Sequence, residues 1–184
     1  PITNPPMDGF WAGTTTDNRN MSGFVESGNI FYFMYTYPNS NNIAGLIAGK
    51  LNNDLEENKF YDDKGSTSYE IGTYNLLGNY NTSFFGSYDY KNYLIGKTIG
   101  RITFDFNLKY DESFHVIPDI RGIIGKYSIQ GIATTGYPGI GNMTISEKIT
   151  SSGKYVFSGN IGTCTFNGTI DYYLVSFEWQ IQKD

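Results

Sequence analysis

The sequence has very little of what most catalytic and metal sites are built from. It contains one histidine, His115, and one cysteine, Cys164, so neither an internal disulfide nor a Cys/His metal cluster can form. No Gly-x-Ser-x-Gly elbow accompanies His115, and we expect this histidine in a loop or at a strand end. Cys164 and Phe166 are two residues apart and fall on the same face of a predicted strand. We therefore expect Cys164 to be a buried, small hydrophobic residue. We therefore predict a protein that is not an enzyme, with no catalytic residue, no metal and no cofactor.

Positive charge is also scarce. The chain has 13 Lys and Arg against 18 Asp and Glu, a net charge of -5, and no basic cluster. A nucleic-acid binder needs a basic patch, so nucleic acid is excluded as a partner. The adjacent carboxylates Asp62 and Asp63 lie in a polar segment, 52–68, without the Asp-x-Asp-x-Asp-Gly spacing of a calcium loop, and we predict that they are simply hydrated.

Long apolar runs are missing as well. No stretch approaches the roughly 18 apolar residues of a membrane helix, so no transmembrane helix is predicted. Strands that span a membrane need an apolar outward face about 9–11 residues long, which the polar segments 17–26 and 52–68 do not supply. We expect a protein that is monodisperse without detergent. Helical spacing of apolar residues is also hard to find, and the 22 Gly disfavour helices.

Aromatic residues are what the chain has in abundance, with 16 Tyr and 13 Phe. In "GNIFYFMYTYPN" (28–39), Phe31, Phe33, Tyr35 and Tyr37 fall on one side of a strand, and Ile30, Tyr32 and Met34 on the other. Apolar groups on both sides favour a central strand, and we predict one over 30–37. Phe31 and Phe33 should lie inside, with Tyr35 and Tyr37 running to the rim.

The order of these strand-like runs predicts an all-β fold, an antiparallel meander that forms a closed or nearly closed barrel or sandwich. "GFWAGTTT" (9–16) and "GKYSIQGIATT" (125–135) both begin Gly, any residue, aromatic, which indicates two pseudo-repeated halves. We predict an N-terminal tether over 1–8 and a single β domain over 9–184, with halves at 9–120 and 121–184.

Several of these stretches carry a resemblance. "GFWAGTT", "IFYFMYTYPN" and "GTCTFNGTID", in that order, resemble exported β-barrel lipoproteins of Gram-negative bacteria, with their Gly-x-Trp-x-Gly opening and late Cys-Thr-Phe-x-Gly motif. The resemblance implies an exported β-barrel that faces the cell envelope, in the periplasm or anchored to the outer membrane, and it implies no activity. The Pro- and Asn-rich start would suit a lipid anchor on a cysteine upstream of Pro1.

Two functions are compatible with these features. The first is a non-catalytic protein-binding module of the cell envelope, such as an inhibitor, an immunity protein against a toxin or a surface adaptor. Its partner would be another protein, a toxin or an envelope component. The alternative is a lipocalin-like carrier that encloses a small apolar ligand. A carrier needs small residues along its inward stripes, whereas these stripes are Phe, Tyr, Trp, Ile and Leu. We therefore favour the protein-binding module.

The candidate partner-binding residues lie in two places. Gly and Pro in "TTGYPGIGNM" (134–143) predict a loop, although Tyr137 and Ile140 are large and apolar. Either these two side chains fold back and plug an open end of the β structure, or they anchor a partner. In the second case Tyr37 and Asn39, after the aromatic strand, are expected to contribute to the same surface.

Overall fold

The computed structural model describes residues 7–26, 28–54, 58–62, 66–71, 77–112, 120–132, 138–150 and 154–170. The chain divides into two compact units, Pro1–Val116 (unit 1) and Ile117–Asp184 (unit 2). This boundary lies close to the 120/121 division between the predicted halves. His115 and Tyr137 lie outside the described residues.

Unit 1 is a closed antiparallel barrel. Its strands are β1 (Gly9–Thr15), β2 (Asn20–Val25), β3 (Ile30–Thr36), β4 (Ile43–Asp54), β5 (Lys59–Asp62), β6 (Ser66–Ile71), β7 (Leu77–Asp89), β8 (Tyr93–Ile99) and β9 (Phe104–Asp111). Each strand pairs with the next along the sheet, and β9 returns to β1. The short β5 and β6 pair with different parts of β4 and both pair with β7, so they share one position. Nine strands therefore fill eight positions, and the predicted meander barrel is confirmed.

The barrel interior is filled with aromatic rings. Phe84 lies at the centre, with its ring centroid 4.8 Å from that of Phe31 and 4.8 Å from that of Phe106, both in stacked geometry. The rings of Phe33 and Phe60 each lie 5.3 Å from Phe84. These five side chains are at most 2% exposed. A single buried aromatic removes roughly 150–250 Å² from water, so this stack is the main source of stability in unit 1.

The strand β3 is central, as predicted, since it pairs with both β2 and β4. Phe31 and Phe33 are fully buried, which confirms their placement inside. Tyr35 was expected at the rim, and that prediction is wrong, because its side chain is only 1% exposed. The ring of Phe104 lies 5.4 Å from that of Tyr35, and the Arg19 guanidinium lies 5.7 Å from the Tyr35 ring, so both cover it.

The opposite end of the barrel is closed by the residues that precede β1. Met7, which we assigned to the tether, is fully buried, and its carbonyl accepts a hydrogen bond of 3.1 Å from Trp11 Nε1. The Trp11 ring packs edge-on against Tyr110, with centroids 5.1 Å apart. Gly9 has a φ of 150°, and a Cβ there would collide with the Tyr110 ring. Glycine is therefore required where the chain enters the barrel.

Unit 2 contains a second antiparallel meander. Its strands are β10 (Gly125–Ile132), β11 (Pro138–Ile149), β12 (Tyr155–Ile161) and β13 (Cys164–Ile170), paired in that order, and a 3-10 turn over Ile120–Ile123 precedes them. One face is apolar, and its buried residues are Ile145, Tyr155, Phe157, Phe166 and Ile170. The other face is mostly polar, with exposed Ser158, Thr165 and Asn167.

Two predictions in unit 2 are corrected. The segment 138–143 is part of β11 and not a loop. Pro138 is tolerated because it is the first residue of the strand. Gly141 allows the neighbouring strand to approach, since a Cβ there would collide with the Asn160 carbonyl. Cys164 is exposed and not buried, because it begins β13 directly after a two-residue turn, although it does share a face with Phe166.

The meander of unit 2 repeats the first four strands of unit 1. Gly9 and Gly125 have φ values of 150° and 157°. Two residues later, Trp11 and Tyr127 each donate a side-chain hydrogen bond to the carbonyl oxygen four residues earlier, on Met7 and Ile123. The predicted pseudo-repeat is thus visible as the same local geometry at the start of both meanders.

The register of the inner strands agrees. Phe31 of β3 lies opposite Gly49 of β4, and Phe157 of β12 lies opposite Gly168 of β13. Val25 faces Phe31 as Ile145 faces Phe157. The four strands β10–β13 therefore correspond to β1–β4 strand by strand.

Candidate interaction surfaces

The outer wall of unit 1 carries an apolar area on β1–β4 that contains one polar residue, Ser22. Cross-strand register places Phe10, Phe24, Tyr32 and Ala48 side by side in one row. The next row holds Ala12, Ser22, Met34 and Leu46. We call the apolar side chains of these rows, together with Ile30, the outer apolar patch: Phe10, Ala12, Phe24, Ile30, Tyr32, Met34, Leu46 and Ala48.

This patch is exposed at its centre. The side chains of Ile30, Tyr32 and Met34 are 38%, 37% and 47% exposed. The rings of Phe24 and Tyr32 touch across the strands, with centroids 5.2 Å apart. Neither row contains a charged residue on β1–β4. An exposed apolar area bordered by polar groups is typical of an interaction site.

The neighbouring strand shows that an apolar outer face is not general in this barrel. On β9, the outward residues Asp105, Asn107 and Lys109 are all exposed. Lys109 lies beside Ala12, at the border of the outer apolar patch. Asp105 pairs with Lys97 of β8 at 3.5 Å, a solvated ion pair of little energetic weight. The outer apolar patch therefore ends at a charged border.

A second apolar area lies on the strands β5, β7 and β8. Tyr61, Phe85 and Ile95, which are 49%, 37% and 42% exposed, line an open groove of about 480 Å³. Gly86 and Gly96 lie opposite each other on β7 and β8, between the outward residues Phe85 and Ile95, and a Cβ at Gly96 would point to the interior ring of Phe106. Lys59 and Asp54 also line the groove. Its shape suits one inserted side chain of a partner better than an enclosed ligand.

One end of the barrel is closed by a charged group. Arg19 Nη1 donates to the Thr36 carbonyl at 3.0 Å, and its Nε contacts Asp17 Oδ2 at 2.6 Å. Burial by itself would raise the pKa of Asp17. The hydrogen bonds that Asp17 accepts from Thr15 Oγ1 and Arg19, together with the positive charge of Arg19, outweigh the effect of burial. They hold the pKa of Asp17 below its ordinary value. Arg19 thus acts as a fixed lid over the Tyr35 and Phe104 rings.

The opposite end carries a perturbed phenol. Burial, followed by the nearby Tyr90 and the carboxylates Asp8, Glu112 and Asp111, raises the pKa of Tyr110. The phenol therefore stays neutral at physiological pH. Its ring packs edge-on against Trp11 at this end of the barrel.

The predicted residues Tyr37 and Asn39 lie together in the turn between β3 and β4. Tyr37 is 36% exposed, and Asn39 has a φ of 54°, a left-handed conformation that asparagine tolerates. The Asn39 amide donates to the Asn18 carbonyl at 2.8 Å, and Asn20 Nδ2 donates to Asn41 Oδ1 at 3.1 Å. These bonds tie this turn to the turn between β1 and β2, so its shape is set before any partner binds.

The other predicted pair belongs to unit 2. Ile140 lies in β11 opposite Gln130, on the mostly polar face of the sheet, and it is 78% exposed. This exposure contradicts the alternative in which Ile140 folds back as a plug. Of the four predicted residues, Tyr37 and Asn39 share one turn and Ile140 stands on a strand of the other unit.

Neither a metal site nor a membrane helix is found in the part of the chain that the structure describes. No group of three or more His, Cys, Asp or Glu side chains is close enough there to hold a metal ion. Among the same residues, no helix has the length and apolar character needed to cross a bilayer.

Sequence reasoning missed the outer apolar patch, although its signal was present. Ile30, Tyr32 and Met34 alternate with the buried residues of β3, and we interpreted the two apolar sides only as a sign of a central strand. In a barrel only one side of a strand faces inward, so the second apolar side must face out. Comparisons of this chain with protein-family models, with curated proteins and with solved structures returned no match.

Proposed function

We propose that this protein is a non-catalytic protein-binding module of the bacterial cell envelope, and that it binds its partner through the outer apolar patch of unit 1. The observation that supports this most is the exposure of Tyr32, Met34 and Ile30 on the outside of a barrel whose inside is already filled. Aromatic residues and Met are enriched at protein interfaces, where one or two of them supply most of the binding energy.

The rigidity of the surface supports the same function. The patch lies on four paired strands of a closed barrel, so few backbone degrees of freedom are lost when a partner binds. The Tyr37–Asn39 turn follows β3 directly and extends the surface with a polar rim. Ile140 and Tyr137 of unit 2 are proposed as a second contact.

The lipocalin-like carrier is the alternative, favoured by the closed eight-stranded meander. Such a carrier needs an empty interior, whereas here the Phe31, Phe84 and Phe106 rings stack at 4.8 Å through the middle of the barrel. An apolar ligand would have to displace those rings, which argues for the protein-binding module.

The resemblance to exported lipoproteins supports a periplasmic or outer-membrane-anchored location. An inhibitor, an immunity protein that neutralises a toxin and a surface adaptor all need this kind of preformed apolar surface. The partner would accordingly be a toxin or another envelope protein.

The test begins with the protein purified from its native host, with mass spectrometry of co-purifying proteins and of an organic extract. For an identified partner, Tyr32→Ala and Met34→Ala together should weaken binding by about 2 kcal/mol or more. Asp105→Ala and Asn107→Ala, on the polar outer face of β9 and beyond the border residue Lys109, are the matched control and should have little effect. An apolar ligand in the organic extract would contradict the proposal. A partner that binds the Tyr32→Ala, Met34→Ala variant with unchanged affinity would contradict it as well.

A further inference from the structure

The open groove on β5, β7 and β8 combines aromatic and charged side chains, unlike the outer apolar patch. We call it the β7 groove, and the side chains that line it include Asp54, Lys59, Tyr61, Phe85, Ser87 and Ile95. We propose that the β7 groove binds a neutral saccharide, one ring of which packs on Tyr61 and Phe85 and stays partly in water. This is a second site of unit 1, independent of any protein that binds the outer apolar patch.

Cross-strand register arranges these side chains in two rows on the outside of the barrel. Tyr61 lies opposite Phe85, so two aromatic side chains stand next to each other in one row. The other row, on β4, β5, β7 and β8, holds Asp54, Lys59, Ser87 and Ile95. The rows are about 7 Å apart along the strands, because a strand rises roughly 3.4 Å per residue. Ser87 is the shortest side chain of its row and leaves a gap between Lys59 and Ile95.

The aromatic row supplies a surface on which a sugar ring can pack. Tyr61 and Phe85 are 49% and 37% exposed. The face of an aromatic ring carries partial negative charge. One face of a pyranose ring presents mainly C–H groups, which carry partial positive charge. The two faces therefore attract each other, in addition to the apolar area that they remove from water.

The second row argues against a purely apolar occupant. It brings a carboxylate, an ammonium group and a hydroxyl to the groove, from Asp54, Lys59 and Ser87. An aliphatic group would cover these polar atoms without bonding to them, which costs free energy. A saccharide carries hydroxyls around the edge of its ring, and each of them both donates and accepts hydrogen bonds. It can therefore bond to this row while its C–H face lies on the aromatic row.

The two charged residues remain available to such hydroxyls although each already takes part in an interaction within the protein. A carboxylate accepts several hydrogen bonds and an ammonium group donates up to three. A sugar hydroxyl can thus join the existing interactions of Asp54 and Lys59 without replacing them.

The balance of charge around the groove favours an uncharged ligand. Asp54 and Lys59 have opposite signs. Beside the aromatic row, Lys97 lies opposite Phe85 and pairs with Asp105 at 3.5 Å. These four charges cancel, so the described residues around the groove give no excess charge that would attract a phosphate or a metal cation.

The size and the openness of the groove agree with a saccharide. Its volume of about 480 Å³ lies within the range of roughly 300–1,000 Å³ that is typical of small-molecule sites. Paired strands form its floor, so its shape exists before a ligand binds. The outer hydroxyls of a sugar stay hydrated, and a saccharide therefore does not need the enclosed pocket that an apolar ligand requires.

The first measurement is an NMR titration of the isotope-labelled full chain with the neutral disaccharides cellobiose, maltose, lactose and N,N′-diacetylchitobiose. At millimolar concentration, at least one of them should shift the signals of Tyr61, Phe85, Ser87 and Ile95. Irradiation of the aromatic protons should also transfer saturation to its C–H groups. Sorbitol, which has hydroxyls but no ring face, is the control and should do neither. The proposal is overturned if no disaccharide shifts these signals, or if sorbitol shifts them equally.

Matched substitutions separate the β7 groove from the outer apolar patch. Tyr61→Leu and Phe85→Leu keep an apolar side chain but remove the ring, and each should weaken disaccharide binding about tenfold. Tyr32→Leu makes the same change at an exposed tyrosine of the outer apolar patch and should leave the affinity unchanged. An unchanged affinity in both groove variants overturns the proposal.

The control for folding is far-UV circular dichroism of each variant. Because Tyr61 and Phe85 are already exposed, both variants should keep their β structure. Ser87→Leu fills the gap in the second row and should block binding, which provides a further test if one of the other variants fails to fold. A protein partner that is lost with Tyr61→Leu, retained with Tyr32→Leu and not matched by binding of any disaccharide would assign the groove to a protein side chain and overturn the saccharide.

Discussion

The two units contain the same four-strand meander, but its apolar side chains are buried more completely in unit 1 than in unit 2. In unit 1 the buried apolar residues are all between 0% and 3% exposed, whereas in unit 2 they range from 2% to 9%. Their composition is similar, with a Gly-x-aromatic start and Phe opposite Gly in both. Among the described residues, the meander of unit 1 continues into further strands that close the barrel, and this closure accompanies the fuller burial of its core. Good core packing in a β-sheet depends on closure as much as on the choice of side chains.

The largest expected effect comes from removing the aromatic ring that the two meanders share. Phe31→Ala should destabilise unit 1 by about 3–5 kcal/mol, because the ring stacks on Phe84 in an interior that cannot collapse. Phe157→Ala, at the corresponding position, should cost less, since its neighbours Ile145 and Phe166 are 5% and 8% exposed and are therefore less tightly enclosed than the core of unit 1. Denaturant unfolding, followed by hydrogen exchange of peptides from each unit, would measure both losses.

An equal loss of unfolding free energy for Phe31→Ala and Phe157→Ala would show that the core of unit 2 is packed as tightly as that of unit 1. That result would contradict the difference between the two units. A loss below about 1 kcal/mol for Phe31→Ala would contradict the central position of β3 itself.

How far the sequence predicts this fold depends on how local each signal is. The alternation of Phe31 and Phe33 with Tyr32 and Met34 is local, and it correctly predicted a central strand with Phe31 and Phe33 inside. The burial of Tyr35 depends on Arg19, which reaches it only because the turn after β1 folds over the barrel end. No periodicity in β3 contains that information.

The errors in unit 2 and at the surface have a similar cause. Gly139 and Gly141 are typical of a loop, yet in β11 glycine serves the close approach of the neighbouring strand. The exposure of Cys164 depends on its position directly after the tight turn between β12 and β13. The outer apolar patch depends on cross-strand neighbours from four strands. Register and strand order, which decide all three, are not readable from one strand at a time.

A smaller effect is expected from filling the space that glycine leaves for a ring. A Cβ at Gly96 would lie 2.5 Å from Phe106 Cζ in unit 1, and one at Gly159 would lie 2.5 Å from Phe166 Cζ in unit 2. Overpacking costs typically 1–3 kcal/mol, and we expect Gly96→Ala within about that range. Gly159→Ala should cost less, because Phe166, at 8% exposed, is less completely buried than Phe106, at 2%.

The same denaturant titration with hydrogen exchange measures this pair. A larger cost for Gly159→Ala than for Gly96→Ala would mean that Phe166 is held as firmly as Phe106 in the barrel wall. That result would contradict the difference in burial on which the comparison rests.

The smallest expected effect concerns the lid of unit 1 and has a pH dependence of known sign. The pKa of Asp17 is lowered in the folded barrel below its ordinary value of 3.8. Because the pKa of Asp17 is lowered on folding, its carboxylate stabilises the fold fully above about pH 3.8. This contribution is lost as the pH falls through the lower pKa that Asp17 has in the folded protein. The Asp17 side chain is 39% exposed, so solvent screening limits its contribution to roughly 0.2–1 kcal/mol.

Asp17→Asn should therefore destabilise unit 1 slightly at neutral pH, and the difference from the unsubstituted protein should shrink on acidification below about 3.8. Hydrogen exchange of β1–β3 peptides over a pH series, corrected for intrinsic exchange, measures this difference, and β11–β12 peptides of unit 2 serve as the internal control. Arg19→Gln should reproduce the neutral-pH loss, because it removes the same pair. If the difference grows in acid, or if unit 2 responds equally, the Arg19–Asp17 pair does not act as the lid of unit 1. The complete burial of the barrel core would then be explained by the stacked aromatic rings and not by the Arg19–Asp17 pair.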